Sequence, residues 1–496
     1  MTTKQTHALW TAIAAVAAGS LPLRMSGATP DVSWLTSMCE RMLNGEKGWV
    51  DIFETTPPVP TLLYMPGVLL ARMAGVSSEA AVFATAYAAA LLALYCTLRL
   101  LPDRIAGSIP SPWTVIFPAA VFLFIISNDS FAQREYFAAA FTLPMFAAFV
   151  RRLETGEWPS RRGRLAAATM AGLAFAIKPP VFALPFIALA LFELIRTRSL
   201  AFLFPSMLPV AALAGVAFTA ASLAAFPAYL DGVTTLMRDV YVPIQLGPYH
   251  AVLRERGFVA TALCIVVAVV ALVRQRPRRA GLLAMIVAGG YVAAYLMQRK
   301  FFAYHIFPAA LFVIVALTVL LGTRFAELAR RQLEVVAIYS VCATLLVAAL
   351  ATAFDDVRPE MRDLSWARDL DRPTAMAISP DLATSFPLAQ HIGARWIDRI
   401  HSQWVARYTR LALHRGGLSE TDAQRYQSYF DRDIERTVRV IREKRPEIIV
   451  QRVGNSARWL TEAMLAADPT LLDDYETLAE EGVIRILRRR QTHASH

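Results

Sequence analysis

The sequence predicts a mostly α-helical membrane protein, a polytopic bundle of about 11 transmembrane helices with a C-terminal extracytoplasmic α/β lobe. Apolar residues make up 56% of the 496 residues, mean hydropathy is +0.42, and only 18% of the residues are charged. Soluble globular chains carry more charge. Apolar runs close to the ~20 residues that a helix needs to cross a bilayer recur up to about residue 354. Residues 355–496 are charged and contain no such run.

The first apolar run, residues 8–23, is interpreted as a retained anchor, with a cleaved signal peptide as the alternative. The Pro-interrupted segment 59–75 is too short for a comfortable span, and we expect an interfacial or partly re-entrant helix there. The short pair 165–178 and 181–195 can also form a hairpin of half-spans. Ten further spans follow the anchor: 80–100, 112–127, 135–151, 165–178, 181–195, 201–225, 257–273, 280–297, 302–322 and 333–353.

The charges between the spans predict their orientation. The net charge of +11 is interpreted as an orientation signal and not as a nucleic-acid surface, because the arginines cluster in short loops between apolar runs. With the N-terminus in the cytoplasm, alternate loops rich in arginine all face inward. These loops carry Arg99 and Arg104; Arg151, Arg152, Arg161, Arg162 and Arg164; Arg196 and Arg198; Arg274, Arg276, Arg278 and Arg279; Arg324, Arg330 and Arg331.

An odd number of spans then places the C-terminus outside. The predicted domains are a transmembrane domain, 1–354, which includes a first outer loop at 29–79, and an extracytoplasmic soluble domain, 355–496. The high alanine and arginine usage favours a bacterial inner membrane, with the periplasm as the outside. Four cysteines, three of them inside apolar runs, predict neither a disulfide framework nor a zinc site.

The C-terminal region alternates between strand and helix patterns. Residues 374–379, 447–453 and 483–489 have strand character, and residues 421–444 form a long amphipathic helical pattern. This order predicts a small α/β lobe. It contains no glycine-rich phosphate loop or catalytic triad, so His391 and His401 are interpreted as structural.

The first outer loop holds the candidate catalytic carboxylates. Asp31 stands where the first helix emerges, and a carboxylate there can take a proton from a hydroxyl or hold a divalent cation. The alternative is that Asp31 only caps a helix beginning at Val32. Asp51 and Glu54, just before Thr-Thr-Pro-Pro, are further candidates that can equally be solvated loop residues. Glu40 and Glu46 are interpreted as surface residues.

Five basic residues at predicted outer membrane ends are candidate phosphate ligands. Outward-facing cations are poor orientation signals, and ionisable groups at membrane depth are candidates for function. Lys178 is the strongest candidate among them, because Pro179 and Pro180 interrupt any helix directly after it. The alternative is that these side chains reach out to lipid phosphates. The set is Lys178, Arg134, Lys300, Arg299 and His305.

The predicted outer loop 226–256 is rich in aromatic residues and proline. Its aromatic side chains are candidates for an acceptor or sugar groove. An aromatic belt at the membrane interface has the same composition. The candidate residues are Tyr229, Tyr241, Tyr249 and His250.

These motifs resemble the GT-C-type membrane glycosyltransferases, which include protein O-mannosyltransferases, aminoarabinose lipid A transferases and bacterial arabinosyl- or mannosyltransferases. The resemblance covers most of the membrane region. It rests on the early acid and the G…W-x-D-I-x-E-x-x-P-P pattern, on QRE at 133–135, on Lys-Pro at 178–179, on 298–309 and more loosely on 386–396. The residues of the first motif are Asp31, Gly45, Trp49, Asp51, Glu54, Pro57 and Pro58.

The resemblance implies transfer of a sugar from a polyprenyl-phosphate donor to an envelope glycan, lipid or protein on the outer face. Asp31 would be the general base, and Lys178, Arg134 and Lys300 would stabilise the leaving phosphate. Several members have two adjacent acids at the first site, whereas Val32 follows Asp31 here. We therefore predict no metal ligands, although Mg²⁺ or Mn²⁺ remains an alternative. The competing interpretations are a transporter or flippase of lipid-linked sugars and a non-catalytic subunit of an envelope polysaccharide system.

Overall fold

The computed structural model describes residues 3–25, 27–105, 109–110, 112–274, 279–328 and 361–490. The chain folds into two compact units. The membrane unit comprises Met1–Ser26, Pro57–Ala225 and Gly247–Asp356, and the lobe unit comprises Gly27–Thr56, Phe226–Leu246 and Val357–His496. The lobe unit thus includes two segments that sequence reasoning assigned to the membrane region. The predicted boundary between 354 and 355 lies outside the described residues.

Several helices of the membrane unit are long and apolar enough to cross a bilayer. They confirm a multi-pass membrane protein with a mostly α-helical fold. In the described ranges there are six of them, so the predicted number of eleven is not confirmed. They are Thr3–Arg24, Ser78–Leu100, Leu208–Ala225, Arg256–Arg274, Arg279–Gln298 and Ala303–Gly322, the last within the longer helix Ala303–Leu328.

Other predicted spans form shorter or more polar elements. Residues 112–127 correspond to a short apolar stretch, Trp113–Ile126, of mixed α and π character. The predicted pair 165–178 and 181–195 corresponds to the helices Arg161–Ile177 and Leu184–Thr197. The segment 59–75 forms two short helices, Pro58–Leu62 and Met65–Ala74. The predicted span 333–353 lies outside the described residues, as do Arg276, Arg278, Arg330 and Arg331.

Helix Arg134–Thr155 lies at the centre of the membrane unit. Every residue from Glu135 to Val150 is buried. The helix contacts Ser78–Leu100, Arg161–Ile177, Arg279–Gln298 and Ala303–Leu328. A helix that is buried all round belongs to the interior of a bundle, so its first turn, with Arg134 and Glu135, is fixed from several sides.

The first helix of the lobe unit, Pro30–Leu43, begins before the position that a cap at Asp31 would require. Thr29 is the N-cap, and its Oγ1 accepts a hydrogen bond from the amide of Val32 at 3.4 Å. Pro30 takes the first helical position, where a missing N–H is tolerated. The interpretation of Asp31 as the cap is therefore wrong; Asp31 lies in the first turn of the helix.

The C-terminal lobe is built around a five-stranded mixed sheet. A separate two-stranded pair, β1 (Arg104–Ile105) and β2 (Ile109–Pro110), lies in the membrane unit. The sheet strands are β3 (Thr374–Ile378), β4 (Arg395–Trp396), β5 (Ile448–Arg452), β6 (Tyr475–Glu481) and β7 (Ile484–Arg489). Their order is β4-β3-β5-β7-β6; β4 and β5 pair with β3 in parallel, and β7 pairs with β5 and β6 antiparallel.

Helices cover this sheet and close its core. Ser419 caps Glu420–Lys444 through a hydrogen bond from the amide of Asp422 at 3.1 Å, and the buried stripe of this helix includes Ile434 and Ile441. Met376 and Ile449 on the central strands join them in one apolar cluster. The remaining lobe helices are Leu388–His391, Trp404–Arg415 and Arg458–Ala467. The predicted α/β lobe is confirmed.

Close helix packing in the membrane unit yields a stability prediction. A Cβ at Gly290 would lie 2.5 Å from Pro185 Cα, whereas a Cβ added at the adjacent exposed Gly289 would have nothing within 4 Å. We expect Gly290→Ala to lower the free energy of unfolding by about 1–3 kcal/mol, because backbone cannot yield as a flexible side chain does. Gly289→Ala should cause no loss, since alanine favours helix. Thermal unfolding in detergent measures both; equal melting temperatures would contradict the packing.

Candidate functional site

The first candidate site lies in the lobe unit around the first turn of helix Pro30–Leu43. Asp31 is half-buried there, and Trp34 follows it on the same helix face. Trp34 Nε1 donates to Glu54 Oε2 at 2.5 Å. The other oxygen of Glu54 accepts from the Thr56 amide at 2.6 Å and from Thr55 Oγ1 at 3.2 Å. Glu54 is therefore a buried carboxylate whose bonds already fix the loop before Pro57.

The helix is docked onto residues that follow the strands β3 and β4. The Trp34 ring meets Phe386 and His401 edge-on, with both centroid distances at 5.4 Å. Ser33 hydrogen-bonds to Gln390. Farther along, Arg41 Nη1 donates to the carbonyl of Asp398 at 2.7 Å, and the amide of Phe53 donates to the carbonyl of Arg399 at 2.7 Å. These contacts join the segment Gly27–Thr56 to the C-terminal part of the lobe unit.

His401 joins the carboxylates at this place. Its Nδ1 is 2.8 Å from Ser402 Oγ. Burial lowers the pKa of His401, and the neighbouring carboxylates Glu54, Asp31, Asp381 and Asp398 oppose that shift. A lowered pKa favours the neutral imidazole at neutral pH. We call Asp31, Trp34, Glu54 and His401 the Asp31 cluster.

The other acids of the first loop have ordinary structural contacts. Asp51 is exposed, and its Oδ2 accepts from the amide of Lys47 at 2.7 Å, which closes a turn. Glu46, expected at the surface, pairs with the buried Arg41 at 2.5 Å. The catalytic role of Asp51 stays a prediction.

Metal ligation can be tested against these contacts. Mg²⁺ and Mn²⁺ prefer several carboxylate or carbonyl oxygens around one point. Within the described ranges no three His, Cys, Asp or Glu side chains lie close enough together to hold a metal ion. Both oxygens of Glu54 already accept hydrogen bonds. The Asp31 cluster as it stands is therefore a poor fit for a divalent cation.

The second candidate site lies in the membrane unit around the buried carboxylate of Glu135. Lys178 follows helix Arg161–Ile177 as its C-terminal cap residue and forms an ion pair with Glu135. Lys178 Nζ also donates to Gln298 Oε1 at 3.1 Å. His305 Nε2 lies 3.5 Å from Glu135 Oε1. Side chains from four segments therefore converge on one place.

Arg134 and Lys300 add positive charge to this place. Both interact electrostatically with Lys178 and with His305. Lys178, Arg134 and Lys300 thus bring three basic side chains to the buried carboxylate of Glu135. We call Arg134, Glu135, Lys178, Lys300 and His305 the cation cluster. It brings together four of the five predicted phosphate ligands.

The backbone is strained beside both added cations. Ala132, two residues before Arg134, has φ +58°, and Arg299 and Phe301, on either side of Lys300, have φ +50° and +52°. Residues other than glycine pay about 1–3 kcal/mol for such conformations, which persist where surrounding contacts enforce them. Tyr64 supplies one such contact, since its hydroxyl donates to the Ala132 carbonyl at 2.7 Å.

Arg299, the fifth predicted ligand, is bound elsewhere. Its Nε donates to the Gly247 carbonyl at 3.1 Å, and its guanidinium carbon lies 4.7 Å from the centre of the Tyr249 ring. The amide of Gly247 donates in return to the Arg299 carbonyl at 2.9 Å. These contacts indicate that Arg299 holds the turn that presents Lys300.

The aromatic residues predicted to form a groove are divided between the units. In the lobe unit, the Tyr229 hydroxyl donates to the Thr55 carbonyl at 3.4 Å, and the Tyr241 ring meets Trp404 with centroids 5.6 Å apart. Tyr249 and His250 belong to the membrane unit and are exposed. Their role in binding a sugar or an acceptor stays a prediction.

Sequence reasoning missed Glu135, Gln298 and His401 as members of these clusters. Glu135 and Gln298 stand inside motifs that were selected for their cations, QRE and QRK, so a signal was present. No signal in the sequence pointed to His401, because more than 360 positions separate it from Asp31 along the chain.

Comparison with known proteins establishes the fold. No protein-family model matches the chain, and no curated protein matches it in sequence. The crystal structure of ArnT from Cupriavidus metallidurans bound to undecaprenyl phosphate aligns over 99% of both chains, with a TM-score of 0.62 and 15% identity. The apo state of ArnT aligns over 93% of both chains, with a TM-score of 0.55 and 15% identity.

The buried ion pair of the cation cluster gives a second stability prediction. Glu135→Gln should lower the free energy of unfolding by about 3 kcal/mol, because it leaves Lys178 without its counter-charge in a poorly hydrated place. Lys178→Met combined with Glu135→Gln should cost less than the sum of the two single changes. Denaturation in detergent measures the cycle.

The control is Glu462→Gln, which breaks the exposed pair with Arg458 and should cost less than about 1 kcal/mol. Strict additivity of Glu135→Gln and Lys178→Met would contradict the pairing. The alignment with ArnT confirms the predicted resemblance at the level of the fold alone: the described apolar helices and the lobe form an ArnT-like fold.

Proposed function

We propose that this protein is an integral-membrane glycosyltransferase that moves a sugar from a polyprenyl-phosphate donor to an envelope glycan, lipid or protein. The observation that carries the proposal is the cation cluster. Several half-buried basic side chains around a buried carboxylate, among apolar helices, suit a ligand with an anionic headgroup and a hydrocarbon tail. The likeness to ArnT, which was crystallised with undecaprenyl phosphate, supports the same class of ligand.

The proposed reaction needs a base for the acceptor and cations for the leaving group. The acceptor hydroxyl oxygen attacks the anomeric carbon of the sugar, and its proton passes to the Asp31 carboxylate. The bond from that carbon to the phosphate oxygen breaks, and the polyprenyl phosphate leaves with the electron pair. Arg134, Lys178 and Lys300 stabilise the charge that develops on it. A single in-line displacement inverts the anomeric configuration.

The proposal includes the side of the membrane. The arginine-rich loops favour a cytoplasmic N-terminus and an extracytoplasmic lobe, with transfer on the outer face of a bacterial inner membrane. Nucleotide sugars are made inside the cell, so a lipid-linked donor suits a site on the outer face. We further propose that the base acts without a metal, since Glu54 is already committed to hydrogen bonds; transfer that stops on chelation with EDTA and recovers with Mg²⁺ or Mn²⁺ would contradict this.

Lipid-phosphate binding is the first test. Undecaprenyl phosphate should raise the melting temperature of the purified protein, whereas undecaprenol, which lacks the phosphate, should not, because a ligand stabilises only the state that binds it. Arg134→Ala should reduce the shift at a fixed lipid concentration. Arg161→Ala is the matched control, since Arg161 is exposed at the opposite end of the helix that Lys178 ends. Equal shifts for both variants would remove Arg134 from the phosphate site.

Sugar transfer is the second test. Purified protein in nanodiscs is given a panel of radiolabelled polyprenyl-phosphate sugars, and label that reaches an acceptor or water is counted. Asp31→Asn should lower transfer about 10²–10⁴-fold, because the amide cannot accept the proton. Asp473→Asn, an exposed acid of the same unit, should leave it unchanged. A folded wild type that binds undecaprenyl phosphate and turns over no donor would favour the flippase or the non-catalytic subunit.

A further inference from the structure

The lobe places the Asp31 cluster at the edge of its sheet where α/β proteins bind ligands. The parallel strands β3, β4 and β5 end at this edge. After β3 the chain continues to β4, on one side of the sheet. After β5 it continues to β6 and β7, on the other side. Ligands of open α/β sheets bind outside the carboxyl ends of strands at such a reversal of order.

Side chains after these strands are linked to one another. The amide of Ser379, just after β3, donates to Gln403 Oε1 at 2.8 Å, and the amide of Gln403, after β4, donates to the Ser379 carbonyl at 2.8 Å. Arg452 at the end of β5 reaches Asp381 at 3.3 Å. His401 lies two residues before Gln403, so this linked edge fixes its backbone.

The imidazole of His401 is held by a hydrogen bond at Nδ1 and by an aromatic contact. Nδ1 contacts Ser402 Oγ at 2.8 Å, and the Trp34 ring supports the imidazole edge-on. The acidic groups Glu54, Asp31, Asp381 and Asp398 act on the ring, and burial keeps the pKa of His401 low despite them. When the Ser402 hydroxyl donates to Nδ1, Nε2 carries the proton and is a hydrogen-bond donor.

We propose that His401 is a second catalytic residue, which binds the acceptor hydroxyl through Nε2 and orients it towards Asp31. This inference rests on the proposed glycosyltransferase function. Nε2–H donates to the hydroxyl oxygen, so the hydroxyl proton points to the Asp31 carboxylate. That carboxylate takes the proton as the oxygen bonds to the anomeric carbon and the polyprenyl phosphate leaves with the electron pair; the imidazole stays neutral throughout. The ligand class is therefore a hydroxyl-bearing acceptor, and the lobe supplies part of the acceptor site.

The test separates transfer to an acceptor from hydrolysis of the donor. Water is small and can reach the anomeric carbon without Nε2, so hydrolysis reports the donor site and Asp31 alone. The assay uses the polyprenyl-phosphate sugar that proves active, with isolated envelope glycolipids as the acceptor probe. His401→Phe keeps an aromatic ring beside Trp34 and removes both nitrogens. His414→Phe, an exposed histidine of the same lobe, is the matched control.

We expect His401→Phe to lower kcat/KM for transfer about 10–100-fold. Its hydrolysis rate and its stabilisation by undecaprenyl phosphate should stay within about twofold of the wild type, and His414→Phe should change neither. Transfer at the wild-type rate by folded His401→Phe would overturn the proposal. Equal losses of transfer, hydrolysis and lipid binding would also overturn it, because they would show a structural role.

A second variant tests the same proposal if the His401→Phe protein does not fold. Ser402→Ala removes the partner of Nδ1 and leaves the ring in place, so KM for the acceptor should rise about 3–10-fold while KM for the donor is unchanged. An unchanged acceptor KM would overturn the proposal. A wild type that neither transfers nor hydrolyses any donor refutes the glycosyltransferase function itself, an outcome distinct from both.

Discussion

The Glu135 carboxylate is the constraint on which the membrane unit depends. A fully buried acid is costly unless cations and hydrogen-bond donors surround it, and here Lys178 and His305 do so from two other helices. Each contact draws a helix end towards the same point. The charge that makes Glu135 expensive to bury thereby determines where three segments of the chain meet.

The same arrangement is relevant to the phosphate site that we propose. Lysine and arginine beside one another repel, and without Glu135 the cluster would hold like charges in an apolar surrounding. The Glu135 carboxylate offsets part of that repulsion. In the proposed function, a phosphate bound beside these basic side chains would offset more of it. The strained backbone at Ala132, Arg299 and Phe301 is consistent with a site whose geometry is enforced by contacts outside it.

The local parts of the fold were predictable from the sequence, because the signals for them are local. The apolar runs give the membrane helices, and the alternating and amphipathic patterns at 374–379, 447–453 and 421–444 correspond to β3, β5 and the helix Glu420–Lys444. Strand β6 was missed because most of its side chains are exposed or half-buried and show no apolar alternation. The N-cap of helix Pro30–Leu43 was harder to predict. Asp31 and Thr29 are both good N-cap residues, and only the position of Pro30 distinguishes them.

The candidate sites were predictable only in part, since residue types suggest chemistry but not partnership. Lys178 was identified by its charge before two prolines, yet its partner Glu135 lies on another helix. Trp34 and His401, whose rings are in contact, lie still farther apart in sequence, and no pattern within either segment predicts that contact. Aromatic contacts and buried carboxylates decide such meetings through packing and desolvation, which act in three dimensions. It follows that a carboxylate and an imidazole brought into one cluster over this distance are better judged by their contacts than by their neighbours in sequence. By that criterion His401 belongs with Asp31 in the proposed acceptor site.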